Sequence, residues 1–244
     1  MLKIDKKLLK SDFGKAAKSY GENAKLQKQV ATILVQKAKG IIPENAYILD
    51  AGCGTGFIAE EANNFWDILQ VDISKEMVEQ ASSYGQAQIC DIENLPLEQG
   101  SFDGVVSSLA LQWCDATKVA GEFHRVLKNG GNIVISTLGK NNLQDIKSLF
   151  EDVTGQNRFN DYLPKENLKD IFEKAGFSDV KIESETLIYQ YNSLKNMLKS
   201  IREIGASNKS QTRKKTISKA EFKELERRFN GVASWEILYI KAKK

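Results

Sequence analysis

Histidine is almost missing: His124 is the one example among 244 residues. Cysteine is sparse, with Cys53, Cys90 and Cys114 scattered and odd in number. Such a set excludes a disulfide framework. With a single histidine and no metal-ligand spacing, it offers no zinc or iron site either. No apolar run approaches the ~20 residues that span a bilayer. The opening Met1-Leu2-Lys3-Ile4-Asp5-Lys6-Lys7 lacks the apolar stretch of a secretion signal. Internal repeats and low-complexity tracts are absent too. These absences predict a soluble, cytoplasmic protein that holds no metal. Hydrophobic residues make up 41% of the chain, enough for a buried core, so global disorder is excluded. The length suits one large domain, or one with a substantial insertion.

Charge is unevenly placed. Between Lys195 and Arg228 stand eleven basic residues and four acids, a net +7, whereas the whole chain carries +3 and the remainder therefore −4. A basic face on an acidic body suits an acidic partner. A lysine-rich, solvated helix surface is the plainer explanation of the same pattern.

Apolar spacing predicts helices over 6–20 and 23–39, where Leu26, Val30, Ile33 and Leu34 share a face and Gly21 and Gly40 punctuate. Short apolar runs then alternate with helical stretches. Strands are expected at 47–49, 68–71, 87–90, 102–108 and 132–137, and helices at 57–63, 75–82 and 113–127. That alternation predicts a mostly parallel sheet covered on both faces. Beyond it, helices near 141–153 and 164–175 precede a strand at 179–190. Helices at 193–204 and 218–228 then precede a last strand at 234–241. The polar, basic stretch Gly205 to Thr216 reads as a loop.

The run Asp50-Ala51-Gly52-Cys53-Gly54-Thr55-Gly56 ends the first expected strand and opens a helix. In open α/β sheets, ligands bind at the carboxyl ends of strands. Gly52, Gly54 and Gly56 remove side chains where the backbone turns and a ligand approaches. N–H groups at the helix start would favour an anionic group such as a carboxylate. The spacing is G-x-G-x-G rather than the dinucleotide pattern. Asp72 follows the second strand, where a carboxylate can accept from both hydroxyls of a ribose; capping the next helix is the alternative. Asp91-Ile92 follows the third strand and could meet an adenine amino group and ring face; a turn role competes.

Taken together, these segments resemble the class I S-adenosylmethionine-dependent methyltransferases. So do Ser101-Phe102-Asp103 and the stretch from Glu122 to Gly131, which has Asn129 where proline is usual. A narrower resemblance, to the malonyl-carrier-protein O-methyltransferases of biotin synthesis, extends along nearly the whole chain. It is carried by Phe13-Gly14-Lys15-Ala16-Ala17, Tyr20, Leu26-Gln27, Asp91 to Leu97, Ser107 to Cys114, Ser136 to Gly139, Asn157-Arg158-Phe159 and Ile204-Gly205-Ala206. Its most distinctive piece is Gln112-Trp113-Cys114. The chain departs from that family at Ser234-Trp235-Glu236, where Thr-Tyr-Glu is usual, and has Thr55 where some members have proline.

The resemblance implies a Rossmann-like α/β fold: a seven-stranded, mostly parallel sheet with helices on both faces and a helical lid. One domain would span 1–244. Its parts would be N-terminal helices covering the cofactor (1–40), the cofactor-binding core (41–139), the remaining core with a partial cap (140–190), a basic lid (191–230) and a final strand (231–244). The cofactor, S-adenosylmethionine, would meet Tyr20, Gln27, Asp50, Gly52, Cys53, Gly54, Gly56, Asp72, Ile73, Met77, Asp91, Ile92, Ser107 and Leu109. The reaction implied is methylation of the free carboxylate of malonyl-acyl carrier protein or malonyl-coenzyme A. A carboxylate is ionised at neutral pH and needs no general base, which suits a chain so poor in histidine. His124 itself reads as a packing residue.

Tyr20 and Trp113 are candidates for closing the cofactor pocket around a cationic sulfonium, with core packing as the alternative. Arg158 or Arg202 would orient the malonyl carboxylate, although Arg158 could equally anchor a loop. Lys209, Arg213, Lys214 and Lys215 would receive the acidic carrier protein. A monomer with no nucleic-acid or membrane partner is expected. The rival readings are a methyltransferase of a small molecule such as a quinone precursor, a non-catalytic cofactor-binding protein, and an RNA methyltransferase. The last finds no aromatic interleaving in the basic stretch.

Overall fold

The computed structural model describes residues 5–204 and 216–244, except for the side chains of 18–23. Two helices open the chain, α1 (Lys6–Asn23) and α2 (Lys25–Lys39). The first runs through Gly21 instead of stopping there, and the break falls at Ala24, whose backbone leaves the helical region. A glycine inside a helix costs only about 1 kcal/mol relative to alanine. In α2, Leu26, Val30 and Leu34 are buried as the spacing predicts, together with Ala31, Val35 and Ala38, whereas Ile33 is only half-buried; Gly40 caps the end.

The sheet is built from β1 (Tyr47–Ala51), β2 (Asp67–Asp72), β3 (Ala87–Ile89), β4 (Phe102–Ser108), β5 (Leu127–Leu138), β6 (Ser178–Gln190) and β7 (Val232–Lys243). Its order is β3-β2-β1-β4-β5-β7-β6. The first five strands pair in parallel, and β7 runs antiparallel to both β5 and β6. The helices between them are α3 (Phe57–Ala62), α4 (Lys75–Ala81), α5 (Ala116–Val126), α6 (Gln144–Thr154), α7 (Lys165–Lys174), α8 (Leu194–Glu203) and α9 (Lys219–Arg228).

Two of the bounds that differ from the sequence expectation have a local cause. The helix expected from Trp113 begins at Ala116, because the Asp115 carboxylate caps it by accepting from Thr117 N (3.0 Å); Leu111–Trp113 form a separate tight turn. The fifth strand begins at Leu127 rather than Asn132, with a register shift opposite Phe102 and Gly104 that absorbs the glycines.

Side-chain alternation splits the core between the two faces. Ile48, Val106, Val134, Ile237 and Tyr239 pack with buried residues of α2, α3, α6, α8 and α9. Leu49, Val105, Ile133, Leu238 and Ile240 pack with α5 and α7. Strand order reverses at β1, which lies between β2 and β4. The loop leaving β1 therefore opens at a topological switch point, where ligand crevices form.

Candidate active site

The loop after β1 is a set of backbone bonds rather than an open cradle. Gly52 N and Cys53 N both donate to Val71 O (2.8 and 2.9 Å), Gly54 N donates to Asp72 Oδ2 (3.0 Å), and Gly56 N donates to Cys53 O (3.0 Å). These loop N–H groups are therefore engaged within the chain, and the helix that follows, α3, spans only six residues. Gly52 sits at φ +77°, and a Cβ there would collide with that of Ala110. Gly54, at φ +56°, has no atom within 4 Å of where its Cβ would be. The first glycine is thus required by packing, and the second leaves open space beside the backbone.

Three acids surround this loop, each differently placed. Asp50 is fully buried, and neither carboxylate oxygen accepts a hydrogen bond among the described residues. Burial, and then the charge of Asp72, push its carboxyl well above the ordinary range. Asp72 accepts from Gly54 N and from Ser74 N (2.9 Å), so it ties the loop to the start of α4. The cap of α4 is Ser74, which accepts from Met77 N (3.4 Å). Asp72 is therefore not the helix cap, and its carboxylate has acceptor capacity left over. Burial raises its pKa against the pull of those backbone bonds. Asp91 accepts from Glu93 N (3.0 Å) within its turn and pairs with Lys6 Nζ (2.5 Å), which also reaches Glu93 (2.9 Å).

A cavity opens beside the loop, with roughly 890 Å³ of unfilled space, some of it continuous with solvent. Among the residues anticipated from sequence, Gln27, Gly52, Cys53, Gly54, Asp72, Ile73, Met77, Asp91, Ile92, Leu109 and Trp113 line it. Three others lie off its wall. Asp50 is sealed behind the loop, Gly56 begins α3, and Ser107 is buried with its hydroxyl donating to Ala51 O (2.6 Å). The neighbouring Ser108 faces the cavity instead, since alternation along β4 sends adjacent side chains to opposite faces. The Tyr20 side chain lies outside the described residues. Lys6, Leu9 and Phe13, from α1, complete the wall and were missed by sequence reasoning. Their i, i+3, i+7 spacing on one helix face was the available signal.

Trp113 stands between this cavity and a second, larger one. Its ring meets Phe13 edge-on, with centroids 5.8 Å apart. Both cavities are lined by Phe13, Gln27, Leu109 and Trp113. Leu109 adopts φ +52°, and Gln112 holds this turn by donating to Leu109 O (2.7 Å) while accepting from Thr137 Oγ1 (3.1 Å). The second cavity has mostly apolar walls, including Leu138, Phe150, Phe159, Leu198 and Ile201. Arg158 and Arg202 both line it, from the segment before α7 and from α8. Lys209, Arg213, Lys214 and Lys215 lie outside the described residues. Of the rest of the basic segment, Lys199 pairs with Glu203, Arg227 with Glu224 and Arg228 with Asp152.

Among the described residues, no side chain at the meeting of the cavities is poised as a base or nucleophile. His124 is on α5, its ring edge-on to Phe177 with centroids 5.2 Å apart, on the α5–α7 side of the sheet. Burial lowers its pKa, with a further push from Lys244. Burial pushes the Cys53 thiol up, and Cys114 up to about 12, so both stay protonated near neutrality. Among the described residues, no cluster of three metal-ligating side chains occurs.

Known proteins agree with this architecture. A family profile described as "Methyltransferase domain" matches residues 49–135. A malonyl-[acyl-carrier protein] O-methyltransferase from Herminiimonas arsenicoxydans is 37% identical over 215 residues, covering 86% of this chain and 82% of that protein. The chain belongs to the malonyl-[acyl-carrier protein] O-methyltransferase family. A second member, from Hamiltonella defensa, is 33% identical over 91% of this chain and 87% of its own length. Among solved structures, a methyltransferase from Thermotoga maritima has the same fold, with a TM-score of 0.61 at 20% identity, covering 96% of this chain and 99% of that one.

The family's cofactor is S-adenosylmethionine, and the site fits it. Gly54 leaves room against the backbone. Asp72 lines the cavity with acceptor capacity beyond its bonds to Gly54 N and Ser74 N. Asp50 adds a fully buried carboxyl behind the loop, close enough to Asp72 to feel its charge.

Proposed function

We infer that this chain transfers the methyl group of S-adenosylmethionine to the free carboxylate of a malonyl group held as a thioester on acyl carrier protein. The product is the methyl ester that primes pimelate synthesis for biotin. The observation that carries this reading is the pair of adjoining cavities sharing Trp113, one flanked by buried acids and the other holding two arginines. The two cavities adjoin beside that ring, so a cation in one and an anion in the other can meet in line there.

When bound, the cofactor supplies an electrophilic methyl on a sulfonium. Asp72 accepts from the ribose, with Ile73, Met77, Ile92 and Leu109 packed around the remainder. Arg158 or Arg202 holds the malonyl carboxylate by a bidentate pair, leaving an oxygen turned toward Trp113. One such clamp is enough, since a tighter one would stabilise the ground state and slow transfer. The aromatic wall of Phe13 and Trp113 excludes water and favours the sulfonium charge. Rate enhancement comes from alignment, so the absence of a nearby base is no obstacle. The helices of 1–40 cover the cofactor and those of 191–230 the acceptor. The enzyme acts as a monomer, without nucleic acid or membrane.

The test feeds radiolabelled S-adenosylmethionine with malonyl-acyl carrier protein, malonyl-coenzyme A and tRNA in parallel. Label should enter a malonyl ester that is lost on mild alkaline hydrolysis. Label only in tRNA, or in none of the three, would sink the reading.

A further inference from the structure

We propose that Trp235 is a specificity-determining residue of the acceptor site, its indole N–H donating a hydrogen bond to a carbonyl oxygen of the arm that carries the acyl group. This rests on the reading of the second cavity as the acceptor site. Trp235 is only 6% exposed, yet its Nε1 has no hydrogen-bond partner among the described residues. A buried donor left unmatched costs about 1–3 kcal/mol, and a buried tryptophan N–H usually finds an acceptor. Trp66 obeys that rule in the same molecule: its Nε1 donates to Pro43 O at 3.0 Å. An indole N–H can only donate, so the missing partner is an acceptor.

The position of the ring says which acceptor. Trp235 lines the cavity that holds Arg158 and Arg202, and it also lines a neighbouring opening walled by Lys25, Tyr189, Tyr191 and Asn196. Leu26, Gln27, Ile201 and Ile204 are common to both spaces as well. Trp235 thus sits where they meet, on a path from the surface toward the arginines. A malonyl group clamped by its carboxylate must leave its thioester, and the amides of its carrier arm, trailing along such a path. These groups present neutral carbonyl oxygens, which give up their water on entering the path. A neutral N–H matches them without the desolvation cost of another charge. The donor is also held still: Trp235 pairs with Leu187 of β6 while the same strand ladders along β5. It is therefore preorganised in a way that a surface side chain is not.

The test replaces Trp235 with 3-benzothienylalanine, which keeps the bicyclic shape but has sulfur in place of the N–H. Trp235→Phe serves as a second variant. Steady-state kinetics with malonyl-acyl carrier protein are compared with calorimetric binding of S-adenosylmethionine and with thermal melting. The expected result is a KM for the malonyl substrate raised about three- to ten-fold, the range one neutral hydrogen bond supplies. Meanwhile kcat, cofactor affinity and melting temperature should stay within a factor of two or a few degrees. An active wild type paired with an isostere of unchanged KM overturns the proposal. So does a KM change that comes with equal loss of cofactor binding and stability, which marks a packing role. A wild type that methylates neither malonyl thioester overturns the acceptor reading, and this inference with it.

Discussion

At the scale of single residues, Asp50 is the most exposing test of the cofactor site. Its folded pKa lies above the ordinary carboxylate value because the group is buried without partners. Below that ordinary value both folded and unfolded chains hold the proton, and Asp50 costs nothing. As pH rises above it, the unfolded chain releases the proton first, so stability falls until the folded group also ionises. Asp50→Asn should therefore raise the melting temperature of the cofactor-free protein near neutrality and flatten its decline with pH. A bound cation would favour the ionised form, so cofactor binding to the wild type should release a proton. That release shows as a calorimetric enthalpy dependent on buffer ionisation, and it should vanish in the variant. Buffer-independent enthalpies in both proteins would show that Asp50 does not sense the ligand.

The glycines separate in the same way. Gly52→Ala must place a Cβ against Ala110 at φ +77°, and should lose about 1–3 kcal/mol in denaturant unfolding. Gly54→Ala meets no neighbour; it should cost less stability and show its main effect as weakened cofactor binding. Equal stability losses would contradict this division.

Among the elements, α1 carries the part of the site that sequence reasoning located only coarsely. Lys6 pairs with Asp91 and Glu93, its side chain about a third exposed. Such a pair is worth up to about 1 kcal/mol, so Lys6→Met should weaken cofactor binding about two- to five-fold and speed proteolysis within α1. Unchanged binding at low and high salt would mean the contact is incidental. The contrast with the glycine loop explains what was legible. Gly52, Asp72 and Asp91 follow strand ends, and strand-end position is readable from alternation and local spacing. Lys6 meets Asp91 across 85 residues, and nothing local in either segment announces that pairing. Ser107 was misplaced against Ser108 for a related reason: a one-residue choice along a strand decides between core and cavity, and both are serines. Trp113, the last residue of the 3₁₀ turn Leu111–Trp113, was read as the start of α5; the cap at Asp115 separates them.

For the whole molecule, the sequence told fold class through alternation but could not tell strand order. Pairing of β7 between β5 and β6 depends on contacts far apart along the chain. Charge along the chain, by contrast, is read by counting residues. The segment from Lys195 to Arg228 carries +7 on a body of −4, and α8 and α9 within it line the acceptor cavity through Leu198, Ile201, Arg202 and Phe222. Steering of an acidic carrier protein by this field should appear in association rate and fade with salt. Reversing the charge at Lys209, Arg213, Lys214 and Lys215 should raise the KM for malonyl-acyl carrier protein at least ten-fold at low ionic strength, leaving a small malonyl thioester little affected. Carrier-protein kinetics unchanged by that reversal would assign the segment to a solvated surface.

The interleaving of β7 also sets an order of events during synthesis. The five parallel strands, with the glycine loop and its acids, are made first and can pair among themselves. Strand β6 has no place in the sheet until β7, translated later, comes to lie against β5. Until then the apolar edge of β5 is exposed, and Trp235 and the wall it gives the acceptor cavity do not yet exist. A nascent chain of this enzyme can thus assemble its cofactor side before its acceptor side, and it stays open to edge-to-edge aggregation until the later strand arrives.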